Sequence, residues 1–408
     1  MRVHEIREEF PFFGKRGGEE EPLIYFDNGA TTQKPQAVID RLVEYYSREN
    51  SNIHRGDYPL SSRAERMYEH ARETVAEWLG AKTPEEIVFT KGSTEAVNLA
   101  AACVGETWLK PGDNLVVTEL EHSSNYFPWK RQCEKRGAQF RVAEAETDGT
   151  LKTEAVISRM DERTRLVAVT AMSNVTGFRP DVGRIVKKAH ELGIPVLVDA
   201  SQETAHHRVS VRETDCDFLV FSGHKVYGPM GVGALYGKRK WLEELQPYLY
   251  GGGMVQRGDC GCIRYRRDPG KYEAGTQNIA GALGLEAALG FLKRWDFSGI
   301  EEYERQLGQC LREKLEKIPG VRLLGTERDS PVQVFESEWM GAYDMGVLLG
   351  NRGIAVRSGA HCAYPLMERM EKESICRVSL AFYNTAGEIE SFAGTMRDLQ
   401  KKFGRKGN

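Results

Sequence analysis

Between about residue 85 and residue 240 the chain alternates short apolar runs with amphipathic stretches. The runs are Glu86–Thr90, Leu115–Thr118, Gln139–Val142, Leu166–Thr170, Pro195–Asp199, Phe218–Phe221 and Gly233–Tyr236. Most are too apolar for a sheet with one wet face and read as strands covered on both sides. The intervening segments, such as Asp181–Leu192 stopped by Gly193, have helical spacing and helix-ending residues. Parallel strands need long crossovers, usually helices, so this alternation predicts an α/β fold with a mainly parallel seven-stranded sheet between helices. Ligands in such sheets sit beyond the carboxyl ends of the strands.

The pattern changes after about Glu273. Long helices are expected over Asn278–Trp295 and Gly299–Ile318, followed by shorter strands and two more helices, Tyr343–Arg352 and Ala386–Phe403. This reads as a smaller α+β C-terminal domain, and 408 residues are too many for one ordinary core. The expected division is a segment 1–22 packing with the small domain, a large ligand-binding domain 23–275, and a small domain 276–408. The Gly- and charge-rich stretch from Gly251 to Gly270 reads as a mobile loop near the site.

With a formal net charge of −3 and acids interspersed among bases, nothing points to nucleic acid or an acidic membrane. No apolar run approaches the roughly 20 residues of a membrane span. The charged start, Met1 to Glu9, lacks the apolar stretch of a signal peptide, so cytoplasmic location is the expectation. The eight cysteines are scattered, and reduced thiols are expected. Cys260 and Cys262 form the only close pair. Without further ligands they read as two free thiols in an exposed loop rather than a metal site. His206-His207 resembles a metal pair but lacks partners.

Chemistry gathers at the strand ends. Lys225, in Ser222-Gly223-His224-Lys225, follows the run Asp217–Phe221, and Asp199 closes the run before it. An amine and a carboxylate at neighbouring strand ends suggest a Schiff base with a charge partner, the arrangement of pyridoxal phosphate sites. Asp199 is equally a turn-capping residue on these grounds alone. Lys91-Gly92-Ser93-Thr94-Glu95 opens a helix after a strand; it is a plain N-cap or, with Ser222 and His224 on the same edge, a phosphate site. His122 follows another strand and is placed to stack on a ring or move protons, although a lone loop histidine is more often structural. Cys362, in Arg357-Ser358-Gly359-Ala360-His361-Cys362, is a candidate thiolate among basic groups or an inert packed thiol. Arg377 is a candidate for bidentate carboxylate binding or an ordinary surface ion pair.

Taken together, these segments resemble the class V branch of the fold-type I aminotransferase superfamily, and within it the group II (SUF-type) cysteine desulfurases related to selenocysteine lyases. The likeness runs from Tyr25-Phe26-Asp27-Asn28-Gly29-Ala30 to Leu399. It includes Ile53-His54-Arg55-Gly56, Ser173-Asn174-Val175, Asp199-Ala200-Ser201-Gln202 and Tyr272-Glu273-Ala274-Gly275-Thr276. The resemblance implies that Lys225 carries pyridoxal 5'-phosphate as a Schiff base and serves as general base, and that Asp199 pairs with the pyridine nitrogen. It further implies that Gln202 bonds the ring hydroxyl and His122 stacks on the ring. Thr94, Ser222 and His224 would hold the phosphate, with Thr276 reaching in from a second subunit. Asn174 and Arg377, with Arg357 nearby, would hold the substrate carboxylate. The implied reaction takes L-cysteine, or L-selenocysteine, to L-alanine and leaves a persulfide on Cys362 for a sulfur-acceptor protein, in iron-sulfur cluster or other thio-cofactor assembly. A homodimer is expected. The rivals are another class V activity on a different amino acid and a scaffold without activity. The chain departs from the family's pattern at Ser123, where many relatives have a second histidine, and at Tyr250, where SUF-type enzymes often have Glu. Val255–Lys271 follows no family pattern. If that loop serves a particular acceptor, its two thiols are candidates for relaying sulfur.

Overall fold

The computed structural model describes residues 3–14, 23–54, 56–256 and 264–404. Arg55, Cys260 and Cys262 lie outside the described residues. The seven apolar runs become strands of one sheet: β1 (Ile87–Thr90), β2 (Asn114–Thr118), β3 (Gln139–Ala143), β4 (Thr164–Thr170), β5 (Val196–Asp199), β6 (Phe218–Ser222) and β7 (Gly233–Gly237). Their spatial order is β1-β7-β6-β5-β4-β2-β3. Strands β3, β2, β4, β5 and β6 run parallel, and β7 is antiparallel to both β6 and β1. The sheet is therefore mixed, with its single reversed strand flanked by β6 and β1.

The strands read as continuous apolar runs because both faces are buried. Leu115, Val117, Leu166, Leu197, Phe218 and Val220 join one core. The alternate residues Val116, Val167, Val169, Val196, Val198, Leu219 and Phe221 join the other. Helices Ser93–Thr107 and Ser123–Arg136 cover the first face, through Val97, Ala100, Val104 and Trp129. Helix Val182–Glu191 contributes Ile185, Val186 and Ala189 to the second. Each large aliphatic side chain buried this way contributes about 1.5–3 kcal/mol, which offsets the entropy lost in ordering the strands. Gly233 lets β7 close on the loop before the first helix: a Cβ there would stand 2.6 Å from Gly92 Cα.

The small domain is an antiparallel sheet of β8 (Val321–Leu324), β9 (Val332–Ser337), β10 (Arg357–Gly359) and β11 (Ile375–Ser379), in the order β8-β9-β11-β10. Helices Phe297–Glu316 and Ala386–Phe403 pack on it through Leu307, Leu311, Phe392 and Met396. The second helix starts in a capping box of Thr385 and Glu388, which satisfies two of its free N–H groups. Helix Ile279–Lys293 packs along Pro59–Leu79 and Gln36–Glu44 before the chain enters this domain. Near the N-terminus, Phe10 meets Phe291, Tyr227, Phe382 and Tyr383 edge-on. Ile24–Tyr25 pairs in parallel with Ile354–Ala355, just before the strand Arg357–Gly359.

Candidate active site

The ends of β1, β2, β4, β5 and β6 face the small domain across a cavity of about 300 Å³, within the size range of small-molecule sites. Of the residues singled out from the sequence, Thr94, His122, Asn174, Asp199, Gln202, Ser222, His224, Lys225, Arg357, Cys362 and Arg377 line it. Thr276 does not: it is exposed and borders a separate groove with Tyr45, Tyr46 and Asn50. None of the described residues between Gly251 and Gly270 lines the cavity. His206 is bound to Glu304 at 2.8 Å, with both side chains buried.

Lys225 ends a tight turn, Gly223–Lys225, directly after β6. The turn is held from outside: the His224 carbonyl accepts from Thr32 N, Thr31 Oγ1, Thr32 Oγ1 and Lys34 Nζ at 2.9–3.2 Å. The Lys225 amine itself makes no hydrogen bond among the described residues. Burial pushes its pKa down to about 8; Asp199 opposes the shift and Arg377 adds to it. Asp199 is 5 % exposed. Its Oδ1 accepts from Ser201 N at 2.9 Å and Ser201 Oγ at 2.5 Å, which fixes the carboxylate at the cavity edge.

At the other end of the cavity, Ser222 Oγ accepts from Ser93 N at 2.8 Å and pairs with Ser93 Oγ at 2.8 Å. Thr94 Oγ1 meets Ser124 Oγ at 2.7 Å. His224 Nδ1 is buried without a partner, and burial lowers its pKa to about 4. These hydroxyls, the start of a fifteen-residue helix and an unsatisfied imidazole nitrogen make a cradle suited to a phosphate. His122 caps the next helix: its Nδ1 accepts from Ser124 N at 3.1 Å. The ring proton therefore sits on Nε2. Burial, then Lys225, lowers the His122 pKa to about 4, so the ring is neutral at physiological pH.

The small-domain wall carries the arginines and the thiol. Arg357 and Arg377 are opposite each other on β10 and β11. Asp27 sits between them, accepting from Arg357 at 2.8–3.2 Å and from Arg377 at 3.3 Å. Arg377 also donates to Asn174 O at 2.8 Å, while its Nε and Asn174 Oδ1 remain buried without partners. Two unsatisfied groups of that kind are costly unless a ligand meets them. Gln202 Nε2 donates to Gly29 O at 2.9 Å. Cys362 is exposed at the cavity mouth, and it and His361 both have left-handed backbones, φ 55° and 52°. Asp27, Ser124, Ser201 and His361 were given no site role from the sequence. Short polar side chains are common in turns, and only their placement beside strand ends marks them.

Pyridoxal phosphate fits this set of residues. There is an amine of lowered pKa, a buried carboxylate across from it, and a hydroxyl-rich helix start with one orphan imidazole nitrogen.

The model of the family described as aminotransferase class-V matches residues 24–392. A cysteine desulfurase of Pectobacterium atrosepticum is 41% identical over 98% of this chain and 99% of its own length. One from Synechococcus elongatus is 42% identical over 98% of this chain, which spans 64% of that longer relative. Among solved structures, the cysteine desulfurase CsdA of Escherichia coli superposes with a TM-score of 0.91 at 34% identity, covering 99% of each chain. An apo cysteine desulfurase of Thermococcus onnurineus NA1 gives 0.92 at 34% identity, covering 98% of this chain and 99% of its own. With these matches and this cavity, the chain belongs to the class V aminotransferase family, in its pyridoxal-phosphate-dependent cysteine desulfurase branch.

Proposed function

We propose that this cavity takes sulfur from L-cysteine, releasing L-alanine and leaving a persulfide on Cys362. The observation that carries this reading is the meeting of Lys225 and Cys362 on opposite walls of one cavity. Lys225 binds the pyridoxal phosphate and moves the α-proton, work for which an amine with a pKa near 8 is well matched. When bound, the cofactor supplies the electron sink for the carbon that loses this proton. Asp199 would hold the ring nitrogen, His122 would stack on the ring, and Gln202 would bond the ring hydroxyl. Thr94, Ser222 and His224 hold the phosphate. Arg377, with Asn174 and Arg357, takes the substrate carboxylate. Cys362, as thiolate, attacks the substrate sulfur. The S–S bond forms as the C–S bond breaks, and the electron pair released on Cβ is protonated to the alanine methyl.

The same contacts accept L-selenocysteine. The persulfide then passes to the thiol of an acceptor protein. Residues 23–275 bind the cofactor and residues 276–408 carry the thiol loop, with the N-terminal segment closing against the latter. The enzyme is a cytoplasmic homodimer. Supporting the dimer, Thr276 lies off its own cavity, beside a groove where Tyr46 is 66% exposed. Among the described residues no helix is long and apolar enough to cross a membrane. The test loads the chain with pyridoxal phosphate, adds L-cysteine and a reductant, and measures alanine and sulfide. Equal amounts of both are expected. Transamination to a keto acid without sulfide would replace this reading with another class V activity.

A further inference from the structure

The turn His122-Ser123-Ser124 serves three different parts of the cavity. His122 presents its ring, Ser124 holds that ring and reaches Thr94, and Ser123 alone turns to the opposite domain. Both donors of Ser123 converge on one atom: its N–H and its hydroxyl each reach the Cys362 carbonyl at 2.7 Å. Ser123 is the first residue of a fourteen-residue helix, where the backbone N–H has no partner within the helix. The carbonyl of Cys362 supplies that partner. The preceding carbonyl, of His361, is held from the same domain by Asn174 Nδ2 at 2.8 Å. Two consecutive non-glycine residues with left-handed backbones persist only where the surroundings over-determine them. The clamps on these two carbonyls provide that restraint.

Resting on the function proposed above, we infer that Ser123 is the positioning residue of the sulfur-accepting thiol. It anchors the Cys362 backbone to the turn that carries His122, so the thiol's setting over the cavity is fixed relative to the bound substrate. Ser123 does not line the cavity, whereas its neighbours His122 and Ser124 do. It acts through Cys362.

Three variants separate its two donors. Ser123→Ala removes the hydroxyl, and Ser123→Thr retains one. Ser123→Pro removes the hydroxyl and the N–H at a helix position that tolerates proline, after a residue with ψ 148° that suits a following proline. One readout needs no turnover: deuterium uptake of the backbone around Cys362 in the cofactor-loaded protein. The others are exchange of the L-alanine α-proton and single-turnover formation of the Cys362 persulfide from L-cysteine. Uptake is expected to rise in Ser123→Ala and further in Ser123→Pro, with α-proton exchange unchanged. Persulfide formation is expected to fall about fivefold in the first and about thirtyfold in the second, the effect of one and two ordinary hydrogen bonds, and to recover in Ser123→Thr. Unchanged uptake in Ser123→Pro overturns the inference, as does a fall in α-proton exchange matching the fall in persulfide. Wild-type protein that makes no persulfide on Cys362 overturns the proposed function instead, and the uptake comparison still decides the role of Ser123.

Discussion

The two walls of the cavity are built in different ways. On the large-domain side, Asp199, Ser222 and Lys225 are continuations of strands whose residues are almost entirely buried. The Lys225 turn is braced by several donors on a single carbonyl. On the small-domain side, Cys362 is exposed, on a left-handed backbone, and its two carbonyl clamps come from across the domain gap. The sheet itself fixes the residues proposed to hold the cofactor, whereas the thiol is placed by a loop fastened to the other domain. Damage to the first wall should therefore impair every step. Damage to the loop that carries Cys362, as distinct from the arginines of the same wall, should impair only the transfer of sulfur.

The largest effect is expected from Lys225→Ala, which removes the amine proposed to move the proton. Exchange of the L-alanine α-proton in deuterated water and alanine formation from L-cysteine should both fall, by about 10²–10⁴-fold. Exchange that survives would assign the proton transfer to another group. Asp199→Asn comes next. It replaces a charge-assisted contact with a neutral one, so both rates should fall together by about 10- to 100-fold. A loss confined to sulfur transfer would break the contrast between the walls.

The smallest expected effect is on pH dependence. A lysine with an ordinary pKa of 10.5 is almost fully charged at pH 7, whereas a pKa of about 8 leaves about a tenth of the amine free. Attachment of pyridoxal phosphate needs the free amine. Stopped-flow loading of the cofactor-free chain should accelerate as pH rises through about 8 and level off above it. A midpoint near 10 would show that burial and Arg377 do not lower this amine.

The large sheet was legible because both of its faces are buried, which writes each strand as an apolar run that stands out from its neighbours. The sequence carried less about strand direction. The connection between β6 and β7, residues 223–232, contains only the short turn of Lys225, and a connection so short suits a reversed strand rather than a crossover helix. Apart from Thr276, the residues that the family resemblance joined line one cavity, although no single one is distinctive in the sequence alone. Asp27 escaped notice as a site residue because its partners Arg357 and Arg377 lie 330 and 350 residues away. Ser123 appeared in the sequence only as a departure from a histidine, and its contact with Cys362 spans 239 residues. Contacts of that range leave no local periodicity to read.

The division of labour between the walls is tested most directly by Cys362→Ser in the cofactor-loaded enzyme, followed by two rates in the same sample. The α-proton of L-alanine should exchange at the wild-type rate while persulfide on the chain and alanine from L-cysteine are both lost. Alanine formed from L-cysteine at the full rate, or proton exchange lost along with the sulfur step, would contradict the account.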